Sequence, residues 1–140
     1  MQDKYERQRR RGKAMKTLLI IDDDEMMLSA LTICFQGEGY KVVTAVDGPE
    51  GIELYSRHHP DVVLLDLNLP TLQGIQVLDR IKKTDPGARI VIITGYASPE
   101  VIEESTRKGA FAFYDKTMGV EVLQEHVKRA IEAERTVPPV

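Results

Sequence analysis

The stretch Asp61-Val62-Val63-Leu64-Leu65-Asp66-Leu67-Asn68-Leu69-Pro70 decides the fold. Residues 62–65 are apolar without alternation, which describes a strand covered on both faces, the habit of a parallel sheet. Such a strand needs neighbours of its own kind. The runs Leu18–Ile21, Val42–Ala45, Ile90–Ile93 and Ala112–Tyr114 supply them. Between the runs lie segments with helical spacing and helical punctuation. Residues 25–37 place Met27, Leu28, Leu31, Cys34 and Phe35 on one face. Asp47 or Gly48 caps a second helix, with Pro49 in its first turn. A third begins near Gly74 and turns Ile75, Leu78 and Ile81 inward. Ser98-Pro99 opens a fourth that ends near Gly109. A fifth starts at about Val120 and carries Leu123, Val127, Ala130 and Ile131 at helical spacing. Right-handed crossovers fold this alternation into an α/β domain, a (βα)5 doubly wound sheet of five parallel strands.

At 140 residues the chain suits one core. The expected division is a basic arm or leader over 1–16, one domain over 17–135 and a tail over 136–140. The net charge of −3 conceals an asymmetry. Residues 1–16 hold seven basic side chains (Lys4, Arg7, Arg9, Arg10, Arg11, Lys13, Lys16) against Asp3 and Glu6. Residues 17–140 hold 12 basic and 20 acidic ones. So acidic a body is a poor nucleic-acid binder, since phosphate contacts need clustered Lys and Arg. No apolar run approaches the roughly 20 residues of a membrane span. Met1-Gln2-Asp3-Lys4 does not open a secretory signal, and the lone Cys34 cannot form an intrachain disulfide. The expected location is cytoplasmic.

Sites in open α/β sheets form beyond the carboxyl ends of the strands. There the first strand ends in Asp22-Asp23-Asp24-Glu25, the third in Asp66, the fourth in Thr94-Gly95 and the fifth in Asp115-Lys116. Helix capping accounts for Asp24 and Glu25, but not for Asp66 at the end of an apolar run. Crowded carboxylates repel unless a cation intervenes. Mg2+ suits an oxygen-only cluster, with Mn2+ as the alternative. A carboxylate beside such an ion and a lysine can attack phosphorus and form an acyl phosphate.

Four motifs together resemble the receiver domain of two-component response regulators, the chemotaxis-Y-like family. They are Leu18–Asp24, Asp61–Pro70 with Gly74, Ile92-Ile93-Thr94-Gly95, and Lys116. The likeness runs from Thr17 to about Arg135. It implies a flavodoxin-like sheet with strand order 2-1-3-4-5 and a phosphoprotein whose aspartyl phosphate forms at Asp66. Asp23 and Asp66 would ligate Mg2+, joined by the backbone carbonyl of Asn68 and, through water, Asp22. Lys116 and Thr94 would contact the phosphoryl group. Thr94 and Phe113 would act as the switch, and Asn68 and Tyr96 would tune phosphoryl lifetime. Such a domain catalyses only its own phosphorylation and slow autodephosphorylation. Its implied partners are a sensor histidine kinase or phosphotransfer protein and a downstream effector or fused output domain. A homodimer through helix 4, strand 5 and helix 5 is a further implied partner. Nucleic acid would be reached only through an output domain.

The chain departs from the family pattern at Thr117, where proline with a cis bond is usual. Trans is intrinsically favoured here by ~2.5–4 kcal/mol, so the expectation is a trans bond, with Thr117 capping the next helix or closing a turn. Competing assignments are plainer: core packing for Phe113 and Cys34, surface positions for Tyr96, His58, His59 and His126. Two other classes share this architecture. A haloacid-dehalogenase-type phosphatase usually carries an acid two residues after its nucleophile, where this chain has Asn68. A flavin module needs a Ser/Thr/Gly-rich phosphate loop, where this chain has Asp22–Glu25.

Overall fold

The structure is a computed structural model and describes residues 15–133. The expected tail, and the arm apart from Met15 and Lys16, lie outside the described residues. Ten elements alternate: β1 (Thr17–Ile21), α1 (Glu25–Gly37), β2 (Lys41–Ala45), α2 (Gly48–His58), β3 (Val62–Asp66), α3 (Gly74–Thr84), β4 (Ile90–Thr94), α4 (Pro99–Arg107), β5 (Ala112–Asp115) and α5 (Val120–Glu132). The strands are parallel and ordered β2-β1-β3-β4-β5, as expected.

Pleating divides the apolar strand residues between two cores. Leu19, Ile21, Val63, Leu65, Ile90 and Ile92 face one way, onto Tyr55 of α2 and Val77, Leu78 and Ile81 of α3. Leu18, Ile20, Val62, Leu64, Val91 and Ile93 face the other, onto Leu28, Leu31 and Phe35 of α1 and Leu123, Val127 and Ala130 of α5. Each fully buried Leu, Ile or Phe contributes ~1.5–3 kcal/mol, so the two layers dominate stability. With both faces apolar, hydrophobicity alone does not fix register. The polar ends do. A one-residue slip would draw Asp22 or Asp66 between apolar strands, where an unpaired carboxylate is costly.

The helix boundaries follow their punctuation. Asp24 caps α1 by accepting from Met26 and Met27, Asp47 caps α2 through Glu50 N–H, and Ser98 caps α4 through Val101 N–H. Gly109 lies just past α4 at φ +97°, the left-handed conformation that ends helices. Two packing expectations need correction. Val77 rather than Ile75 is buried on α3. Met27 and Cys34 are only half-buried, and Cys34 Sγ accepts from Gln124 Nε2 at 3.3 Å. Gly119 caps α5, which leaves Thr117 the turn role, the other of the two expected for it.

Candidate functional site

Sheet order builds the site. Ile21 pairs with Leu65, so the residues that follow, Asp22 and Asp66, leave adjacent strands side by side. Asp66 is level with Ile93 of β4, and Thr94 is level with Asp115 of β5. Lys116 N–H then donates to Thr94 O at 2.9 Å, which starts the lysine at the same edge.

Asp22 is fully buried and Asp66 nearly so, while Asp23 is exposed. Asp22 Oδ1 accepts from Asp24 N–H and Asp66 Oδ1 from Asn68 N–H, each at 3.0 Å. Their other oxygens converge on one cation: Lys116 Nζ is 2.9 Å from Asp22 Oδ2 and 2.9 Å from Asp66 Oδ2. The Asp66 contact is an aligned hydrogen bond. The Asp22 contact has the distance of an ion pair without that alignment, so Asp22 Oδ2 keeps an unsatisfied lone pair. Burial pushes the Asp66 carboxyl above its ordinary pKa, and repulsion by Asp22 adds to this; Asn68 N–H and Lys116 oppose it without winning. Burial also works against the Lys116 ammonium, but the two carboxylates outweigh it and hold its pKa above the usual lysine value.

One carboxylate oxygen from each of Asp22, Asp23 and Asp66 falls within 4.8 Å of the others. Three carboxylates against one ammonium leave an excess of negative charge, and the buried Asp22 Oδ2 has an ion pair to Lys116 but no aligned hydrogen bond. This donor set fits a hard divalent cation better than it fits a second amine.

The remaining predicted residues surround this group. Thr94 is buried, and its hydroxyl donates to Tyr96 O at 2.8 Å rather than to Asp66. The Tyr96 side chain is 78% exposed. Tyr96 lines a cavity of about 300 Å3 together with Asn68, Leu67, Gln73, Ile75 and Ser98. Phe113 is half-buried and packs on the core with Ala97 and Val101. His59 caps the far end of α2 in the left-handed region (φ 47°), and neither it, His58 nor His126 belongs to the carboxylate group. The Lys116–Thr117 bond is trans. Thr117 serves as a turn residue, donating through both N–H and Oγ1 to Asp115 Oδ1 at 2.8 Å. Two features went unread in the sequence: the contact between Lys116 and Asp22, and the bond from Tyr114 OH to Met118 O at 2.6 Å. Neither residue spacing nor periodicity carries a signal for them.

A doubly wound sheet with clustered aspartates and a lysine at its carboxyl edge fits the receiver class of signalling domain. Comparison with known proteins places the chain within it. The family model described as the response regulator receiver domain matches residues 18–128, and the chain belongs to that family. It is 32% identical over 112 residues to sporulation initiation phosphotransferase F of Bacillus subtilis, covering 80% of this chain and 90% of that protein. It is 34% identical over 115 residues to the transcriptional regulatory protein GlrR of Escherichia coli, covering 82% of this chain but 26% of GlrR. Among solved structures it resembles CheY of Borrelia burgdorferi in a CheX–CheY–BeF3–Mg+2 complex. The TM-score there is 0.80 at 29% identity, over 84% of this chain and 90% of that one. No helix among the described residues is long and apolar enough to cross a membrane.

Proposed function

We propose that this receiver domain takes its phosphoryl group on Asp66, from a phosphohistidine of a sensor kinase or phosphotransfer protein. The observation that carries the reading is the convergence of Asp66 and Asp22 on Lys116 beside Asp23. An oxygen of Asp66 attacks phosphorus as the bond from phosphorus to the donor nitrogen breaks, and the imidazole leaves with its electron pair. Lys116 neutralises charge on the transferring oxygens, where electrostatic stabilisation supplies most of the catalysis. Asp23, Asp66 and the Asn68 carbonyl would hold Mg2+, or Mn2+ in its place, with Asp22 assisting through water; when bound, the ion offsets the repulsion between carboxylates and phosphoryl oxygens. Thr94 then exchanges its bond to Tyr96 O for one to the phosphoryl group. That exchange frees the segment leading to Ser98 and α4, beside Phe113, and couples the site to the face formed by α4, β5 and α5. Through that face the domain controls an effector, an attached output domain or a second copy of itself. On this reading the domain turns over no substrate beyond its own aspartyl phosphate, and it works in the cytoplasm.

The test is covalent labelling with a small phosphodonor such as acetyl phosphate. One acid-labile phosphoryl group per chain is expected with Mg2+, and none after chelation. A label that survives chelation, or maps to a peptide lacking Asp66, would overturn the reading.

Asp23 gives a graded check. It is exposed and contributes little to the core, so Asp23→Ala should fold as well as the parent or better, since it relieves repulsion. Supporting residues around metal sites typically cost roughly 10–100-fold in affinity when removed, and a direct ligand should cost at least as much. Mg2+ titration followed by phosphorylation rate reads this directly. An unchanged titration midpoint would remove Asp23 from the ligand set.

A further inference from the structure

Lys116 reaches two carboxylates from the end of an edge strand, yet the three residues after it are all exposed. A four-carbon side chain on a loose loop would sample many positions, so something must hold its backbone. Before Lys116 the restraint is the sheet: its N–H donates to Thr94 O at 2.9 Å. Beyond it the restraint is a closed turn. Asp115 Oδ1 accepts from Thr117 N–H and from Thr117 Oγ1, both at 2.8 Å, and Asp115 O accepts from Met118 N–H at 2.9 Å. From the core side, the hydroxyl of the buried Tyr114 donates to Met118 O at 2.6 Å. Five hydrogen bonds, one before Lys116 and four beyond it, therefore hold the residue between Asp115 and Thr117.

We propose that Asp115 is a positioning residue for Lys116: its side chain closes the 115–118 turn and so aims the ammonium at Asp22 and Asp66. Asp115 does not touch the reacting atoms. The two Thr117 donors hold its carboxyl below the usual range, so it remains an ionised acceptor around neutral pH. A carboxylate oxygen taking two short hydrogen bonds from one residue makes a tight local turn that requires no buried neighbour. The inference rests on the phosphoacceptor reading above, because only there does the aim of Lys116 have a rate attached to it.

The experiment compares phosphoryl uptake from acetyl phosphate, at saturating Mg2+, in the full chain and its variants. Asp115→Ala should slow uptake on the order of tenfold, since small misplacements of a catalytic group cost rate steeply. Asp115→Asn keeps the Oδ1 acceptor and should stay within about twofold of the parent on the same argument. In a Lys116→Ala background, Asp115→Ala should cause no further loss, because the group it aims is gone. Thr117→Val removes one of the two donors and should give an intermediate rate, which keeps the test open if Asp115→Ala folds poorly. Parental rates in Asp115→Ala or Thr117→Val would overturn the proposal. So would an equal loss in Asp115→Ala and Asp115→Asn, which would assign the effect to charge. So would full additivity with Lys116→Ala. An unlabelled parent protein would instead sink the phosphoacceptor reading itself.

Discussion

Asp66→Asn should abolish phosphoryl uptake while leaving the protein folded and, without metal, at least as stable as the parent. The chemical half follows from the nucleophile: an amide oxygen cannot form the acyl phosphate, and the neighbouring Asp22 is buried and already engaged by Asp24 N–H and Lys116. The stability half follows from charge. Two carboxylates share one ammonium at the site, and burial holds the Asp66 pKa above its ordinary value. A carboxyl raised in this way binds its proton more tightly in the folded state than in the unfolded one. Between the two pKa values the native state carries more protons, so stability falls as pH rises through that window, and the cost persists at neutral pH. Asparagine removes it and leaves Lys116 paired one to one with Asp22. The melting temperature of Asp66→Asn should therefore exceed that of the parent at pH 7, and the gap should close toward acid. Labelling of the variant at the parental level would defeat the chemical claim. A variant less stable at pH 7 than in acid, relative to the parent, would defeat the electrostatic one.

The contrast between what could and could not be read from the sequence has a physical basis. Val62–Leu65 and Ile90–Ile93 are unbroken apolar runs, and only burial on both faces accommodates them, so the parallel sheet was legible. The ends of those runs were legible too, because Asp66 and Thr94 are polar residues where the apolar pattern stops. Helix phase was harder. Ile75 and Val77 both lie near the start of α3, and their composition does not say which faces the core; the close seat of Gly74 against β3 decides for Val77. Cys34 fits an inward position by spacing, yet it lies where α1 meets Gln124 of α5, a boundary that no local pattern marks. Thr117 was expected either to cap α5 or to close a turn. The nearer acceptor won: Asp115 is two residues away, while the helix begins at Val120. The contact between Lys116 and Asp22 depends on three strands arriving together and has no counterpart in any single stretch of the chain.

Gly74 leads to the largest expected change in stability. At this position α3 begins directly against the end of β3, and Gly74 N–H donates to Leu67 O at 3.0 Å. A Cβ added here would lie 2.3 Å from Asp66 O and 2.5 Å from Leu67 Cα. Both are backbone atoms, so no side-chain rotation relieves the clash; either α3 retreats or the strand end moves. Over-packing typically costs 1–3 kcal/mol and more where backbone must shift, so Gly74→Ala should lose about 2–4 kcal/mol. For a domain of this size that corresponds to a fall of roughly 10 °C in melting temperature. The displaced atoms belong to Asp66 and to the residue before Asn68, so phosphoryl uptake should slow even in the fraction that remains folded. Gly95 supplies the control. It stands at the same edge of the sheet, after Thr94, but beyond its own chain neighbours no atom lies within 4 Å of where its Cβ would be, and its φ is outside the left-handed region. Gly95→Ala should therefore melt within a degree or two of the parent, about 0.5 kcal/mol at most. Equal melting temperatures for the two alanine variants would show that the β3–α3 junction is looser than its contacts imply. A large loss at Gly95 alone would mean that the strand-end loops, and not this junction, set the stability of the phosphoacceptor edge.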